Sequence, residues 1–405
     1  MKTTQDKIYN DMYIFIPLNL SNSYKKIQYK EPGPLINNYI KSICDTSLYE
    51  CNKRISKQLE RRFLGKHKFL CMNDNYDEVI GTFDVEFILT SHLDTNLHIL
   101  SVIFIGNSYS ITQIEDQVSS KNLYIEDVDG SKMTISSYME NYYGLIQCGD
   151  EKCLICLNKK PEDEKELHCM LAAEAYNSVH VKYRVKSEEI RKAASNNLAE
   201  YDFYEIYASY SSLVYISDEI SENFNSNLDI EAAIIFICEI TLLQNAAISR
   251  TNARIVDELS EDVDISLKSI EKMYAEFGKT IIFWDKNIYN YSLAQNLADN
   301  ISQAFNNDKL LSEYYRNQNY LEHIVELKGS ISSAREGKIL NILAFILSFS
   351  ELFQLTKSVI DYIKTGNLMI LLVGLTGSSL IVILLVFLAV WRKRLKHKSN
   401  KFKLV

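Results

Sequence analysis

The sequence predicts an α+β or α/β N-terminal body, followed by long α-helices and a C-terminal two-helix transmembrane hairpin. Three observations lead there. Leu368 to Val390 reads LMILLVGLTGSSLIVILLVFLAV without one charged residue, long enough to cross a hydrocarbon core of ~30 Å at ~1.5 Å per residue. Alternating apolar and polar runs mark strands in the first 220 residues, and all four prolines lie at or before Pro161. From Leu228 the pattern is helical, in a stretch without proline.

The span from Leu368 ends at Trp391, an interfacial anchor, followed by Arg392, Lys393, Arg394, Lys396, Lys398, Lys401 and Lys403. Such a tail stays on the cytoplasmic side. A single span would then export everything before it, yet MKTTQDKIYNDMYIFIPLNL has only a short apolar stretch, broken by Asp11 and Pro17. A second crossing resolves the conflict, and Ile339 to Leu355 supplies it. At ~100° per residue Ser330, Ser333, Ala334, Gly337, Asn341, Ala344, Ser348 and Glu351 share one face. Two readings of this stripe stay open: a close contact between helices, where small residues are expected, or the lining of a water-filled axis made by several copies. A third arrangement lays the helix on the membrane surface and leaves one true span. Lys357, Asp361 and Lys364 belong to a short external loop or pair one turn apart, and Gly366-Asn367 is the turn between the spans.

Composition bounds the rest. The 405 residues carry a net charge of −8, but residues 1–390 hold 37 basic against 52 acidic side chains, a net −15. So acidic a body argues against direct nucleic-acid binding and favours cations at a pore mouth. Eight cysteines without a signal peptide point to a reducing compartment. No phosphate-cradling glycine loop, Walker lysine or HExxH appears, so an enzyme is not expected.

In chain order, residues 1–33 form an irregular leader with a short strand near Tyr13–Ile16. Leu35–Leu64 has helical spacing, and Lys57, Arg61, Arg62, Lys66 and Lys68 gather near its negative pole as a solvated face or an anion site. Thr82–Leu89 and Leu97–Ile105 are strands joined by Asp94-Thr-Asn96, with shorter strands at Leu123–Ile125 and Lys132–Ile135. Cys148, Cys153, Cys156, His168 and Cys169 follow. Their CxxC would let two thiolates reach one ion from a tight turn, with Cys148 and either Cys169 or His168 completing a structural zinc site. The alternative is a set of reduced cysteines at a domain edge. Helices near Leu167–Tyr176 and Ser187–Asn197 and strands at Val179–Tyr183 and Phe203–Tyr210 complete a body over residues 1–227.

A helical stalk region is expected over 228–334. Leu228–Leu259 is a long helix whose apolar centre, Ala232–Leu243, is too short and too interrupted by Glu239 to be a span. Asp257, Glu258, Glu261, Asp262 and Asp264 end it as a solvated face or a divalent-cation site. Helices over Leu267–Phe277 and Leu293–Phe305 precede a last one that starts near Asp308 and runs unbroken into the hairpin at 335–391. The basic tail occupies 392–405.

This order of parts resembles the CorA-type family of two-helix membrane proteins, by architecture over residues 228–405 and by class in the body. The local echoes are Ala334-Arg-Glu-Gly-Lys-Ile-Leu-Asn-Ile-Leu343 and Gly366-Asn367. The resemblance implies a homo-oligomer, five subunits in that family, in the inner membrane with both termini cytoplasmic. The first span would line the pore and Gly366 and Asn367 would sit at its outer mouth. The family's Gly-Met-Asn signature is replaced by Lys364-Thr-Gly-Asn367, which separates the chain from ordinary magnesium transporters. Some members of that family without the signature act as membrane effectors of bacterial antiviral systems, including CRISPR-associated ones, gated by a nucleotide messenger, and the resemblance extends to them. The leading expectation is a channel gated by a ligand at the cytosolic body. The alternatives are a magnesium-type divalent-cation transporter and a membrane-anchored scaffold built on the zinc module.

Overall fold

The computed structural model describes residues 11–21, 58–72, 78–104, 123–126, 130–172, 185–199, 204–217, 224–261 and 288–365, with 275, 368, 369 and 372 as isolated positions. It divides into two compact units, Met1–Leu321 and Glu322–Val405. The expected boundary at 227 is therefore not a packing boundary, because the helices after it share the core of the sheet.

Among the described residues ten strands form one mixed sheet in the first unit: β1 (Asp11–Leu20), β2 (Leu59–Met72), β3 (Val79–His92), β4 (Leu97–Phe104), β5 (Leu123–Glu126), β6 (Lys132–Met133), β7 (Leu145–Gln147), β8 (Lys152–Leu157), β9 (Tyr204–Ala208) and β10 (Ser212–Ser217). Their order is β6-β5-β2-β3-β4-β1-β8-β10-β9, with β7 also on β1. All described pairs are antiparallel except β8 with β10. The helices are α1 (Ile135–Tyr143), α2 (Glu164–Ala172), α3 (Ser187–Ser195), α4 (Phe224–Glu261), α5 (Ser292–Ala304) and α6 (Asn307–Thr365).

Alternation along the strands feeds two cores. Tyr13, Phe15, Ile88, Ile99, Ile103, Leu154 and Leu213 pack with α4 and α5 on one face. Ile14, Ile16, Phe87, Val102, Ile155 and Val214 pack with α1 and α2 on the other. The strands and helices expected at 82–89, 97–105, 187–197, 228–259, 293–305 and from 308 onward are present. Val179–Tyr183, the Gly366-Asn367 turn and all of Leu267–Phe277 except the helical Ala275 lie outside the described residues.

The helix expected over Leu35–Leu64 needs correction from Leu59 on, where the chain is strand β2; residues 35–57 lie outside the described ones. A bulge hid the strand. Phe63 pairs with Ile88 and Gly65 with Phe87, so one extra residue enters and the alternation changes phase. Before the bulge Leu59 and Phe63 face α4; after it Phe69 and Cys71 face the opposite core. Gly65 has φ +114, which side-chain-bearing residues avoid. Gly65→Ala is expected to lower unfolding free energy by about 1–3 kcal/mol in urea titration, through backbone strain alone, since its Cβ would meet nothing closer than 4.0 Å.

Pro17, inside a central strand, is accommodated by another irregularity. Its carbonyl accepts from the Cys148 N–H at 2.9 Å, so its missing N–H would point to the same neighbour. That neighbour breaks there between β7 and β8, so no ladder bond is lost.

Within α4, Ile230–Asp257 is long and apolar enough to cross a membrane, contrary to the expectation from its centre alone, but 83% of its most apolar window is buried inside the protein. It is the principal helix of the sheet's α4-side core.

Candidate functional site

The polar residues of α4 are spaced to meet the sheet at three points. Near its start, Tyr13 Oη donates to Glu231 Oε1 at 2.5 Å. In its middle, Glu239 is fully buried. Its carboxylate accepts from the Arg61 guanidinium in an ion pair, from Thr90 Oγ1 at 2.9 Å and from Ser101 Oγ at 2.6 Å. Arg61 Nε also donates to Thr90 Oγ1 at 3.1 Å, and its guanidinium lies 5.5 Å from the Phe236 ring centroid. Farther along, Arg250 Nη1 donates to Asn19 Oδ1 at 3.1 Å and to the Thr95 carbonyl at 2.8 Å. Arg61 is thus neither on a helix end nor on a solvated face: strand alternation turns it under α4, while Arg62 pairs with Glu60 at the surface.

Two histidines bracket the β3–β4 turn near Arg250. His92 Nδ1 shares a hydrogen bond with Thr95 Oγ1 at 2.9 Å, and His98 Nδ1 one with Ser91 Oγ at 2.8 Å. Burial pulls both imidazoles down to about 4; the positive charge of Arg250 adds to this, and Asp94 opposes it at His92. Both rings are therefore neutral at neutral pH.

The structure does not bring the expected zinc ligands together. Cys153 and Cys156 lie on β8 rather than on a tight turn. Three residues apart on a strand, they face opposite sides: Cys153 enters the core under α1 and α2, and Cys156 the core under α4. Burial pushes the Cys148 thiol up to about 11 and Cys156 well above its ordinary range. Cys169 is fully buried on α2. His168 instead lines an open cleft of about 460 Å³ with Glu189, Lys192, Ser195 and Asn196 of α3 and its end. Among the described residues, no group of three or more His, Cys, Asp or Glu side chains is placed to hold a metal ion.

In the second unit, α6 is helical through Thr365. Lys357, Asp361 and Lys364 therefore belong to the helix and not to a loop. Asn341 and Ser348 are exposed and Gly337 is half-buried; the side chains of Ser330, Ala344 and Glu351 lie outside the described ones. Thr356 and Thr365 donate to the carbonyls of Leu352 and Asp361 one turn back, at 2.7 and 2.6 Å, so their hydroxyls are satisfied within the helix. Of Leu368–Val390 only Leu368, Met369 and Leu372 are described, all helical and exposed.

The anchors were only half visible in the sequence. An acid inside the apolar run Ala232–Leu243 announces a buried partner, but nothing local names Arg61, 178 positions away. No protein-family model, curated protein or solved structure matches the chain.

Proposed function

We propose that the protein is an oligomeric, CorA-like membrane channel gated by a ligand bound to its N-terminal unit. The observation that carries this reading is the surface of α6 beyond the first unit. Phe345, Phe349, Leu352 and Phe353 are 72%, 65%, 65% and 69% exposed on a single chain, far more apolar surface than a lone helix keeps in water. Lipid and neighbouring copies are the natural cover for such a face. The uncharged run Leu368–Val390 supports a second crossing and the basic tail after Trp391 a cytoplasmic end.

In this reading Asn341, Ser348 and Glu351 turn toward the axis, and a ring of Glu351 carboxylates favours cations. The cleft beside His168 and Lys192 has the volume of a small-ligand site, and nucleotides are the first ligand class to test.

The test is ion flux from liposomes holding the purified protein, with and without magnesium and a panel of cyclic and adenylated nucleotides. Flux that appears only with a nucleotide supports the gated channel. Basal flux controlled by magnesium turns the reading into a transporter, and no flux under any condition removes conduction altogether. Glu351→Gln is expected to reduce cation-over-anion preference several-fold with assembly intact; unchanged selectivity takes Glu351 out of the pore.

A further inference from the structure

Only Phe305 and Asn306 separate α5 from α6. Phe305 is buried at the end of α5, with its ring centroid 5.7 Å from the Lys152 ammonium, which lies 3.4 Å from the Tyr210 ring centroid on its other contact. Asn306 then takes a left-handed conformation, φ +60, a turn that asparagine tolerates better than most residues. Asn307 opens α6 with no exposed surface, although an amide side chain is costly to bury unless its groups are satisfied.

Both ends of that amide are satisfied by α4. Asn307 Oδ1 accepts from Asn245 Nδ2 at 2.7 Å, and Asn307 Nδ2 donates to the Thr241 carbonyl at 3.1 Å. A second rung follows along the same pair of helices: Asn317 Nδ2 donates to Asn252 Oδ1, and Asn252 Nδ2 to the Leu310 carbonyl, each at 3.3 Å. This rung is longer on both sides, and Asn317 is only partly buried.

A slip of α6 by one residue would rotate Asn307 by about 100° and leave a buried amide without partners. A single polar residue in an apolar helix contact is a known way to fix register. The same slip costs the second rung less, because Asn317 is partly exposed and water can replace its bond, although Asn252 is itself buried.

We infer that Asn307 is a pivot pin: its buried amide fixes the start of α6 on α4, while the Asn252–Asn317 rung beyond it is an exchangeable contact about which the rest of the helix pair loosens. The inference concerns the first unit alone and goes beyond the proposed channel activity, which can fail without affecting it.

Hydrogen–deuterium exchange on the full-length protein in detergent tests it. Asn307→Leu is expected to raise amide exchange over Asn307–Leu321 tenfold or more with β1, β3 and β4 unchanged. Asn317→Ala is expected to raise it less than threefold, and only beyond Leu310. Equal effects of the two variants would overturn the pivot, as would wild-type exchange in Asn307→Leu or a rise spread evenly over the sheet. If Asn307→Leu does not fold, Asn245→Ala, which leaves the bond to Thr241, must show an increase confined to the same segment; its absence overturns the pin.

Discussion

Glu239→Ala is expected to cost about 3–5 kcal/mol of folding free energy, the largest effect of any single replacement considered for this chain. Removing the carboxylate leaves the Arg61 guanidinium buried beside the Thr90 hydroxyl and over the Phe236 ring, and a buried charge that loses its counter-charge carries that penalty. Domain stabilities of about 5–15 kcal/mol make this a large fraction of the whole. Urea titration followed by near-ultraviolet circular dichroism measures it. The double replacement Arg61→Met with Glu239→Leu removes both charges and keeps the volume, so it is expected to recover most of the loss. A cost below about 1 kcal/mol for Glu239→Ala would mean that water reaches the pair, against its burial here.

Acid is expected to weaken the first unit well above the pH at which carboxylates titrate. His92 and His98 are held near 4 in the fold, against 6.5 for the free side chain. A lowered histidine pKa means that the unfolded chain takes up protons first. Stability is therefore full above about pH 6.5, falls as pH drops from there toward 4, and levels off below. Each ring can remove up to about 3 kcal/mol across that window. Denaturation midpoints at pH 7, 6 and 5 should fall in steps, and His92→Gln with His98→Gln should flatten that slope while lowering stability at pH 7 modestly. An unchanged slope in the double variant would assign the acid sensitivity to other groups.

How much of this was legible follows from how each segment meets its neighbours. β3 and β4 each bury one face per core in strict alternation, so period two reads directly from Phe83, Val85, Phe87 and Leu89. α5 and α6 announce themselves because their apolar residues recur at helical spacing. The start of β2 reads as helix because the helical spacing through Ile36, Tyr39, Ile40, Ile43 and Leu48 carries on toward Leu64, and the bulge at Gly65 shifts the phase in mid-strand, so no single alternation marks the strand. β8 and β10 are buried on both sides; KCLICL and SLVYIS therefore lack alternation, and the cysteine spacing in the first invited a metal reading that belongs to turns. The helix that carries Asn341 and Ser348 was legible, since helical spacing needs no partner to show. The anchors beneath α4 and the asparagine pin were not, because each joins residues far apart in sequence, and spacing along one chain carries no information about the partner.

Glu239 has one more consequence, and it falls during synthesis. The helix around it emerges from the ribosome as a stretch that an insertion machinery would judge by apolarity alone, and by length it qualifies as a span. An acidic side chain at the centre of such a segment raises the free energy of insertion by about 2.5–3.5 kcal/mol. On the proposed membrane reading, the carboxylate would act as a sorting mark that keeps this helix out of the bilayer, while the uncharged run at Leu368–Val390 carries no such mark. Arg61, translated 178 residues earlier, neutralises the mark in the finished fold. Replacing the pair by apolar residues, at little expected cost to the finished fold, would on that reading erase the difference between the two segments during insertion.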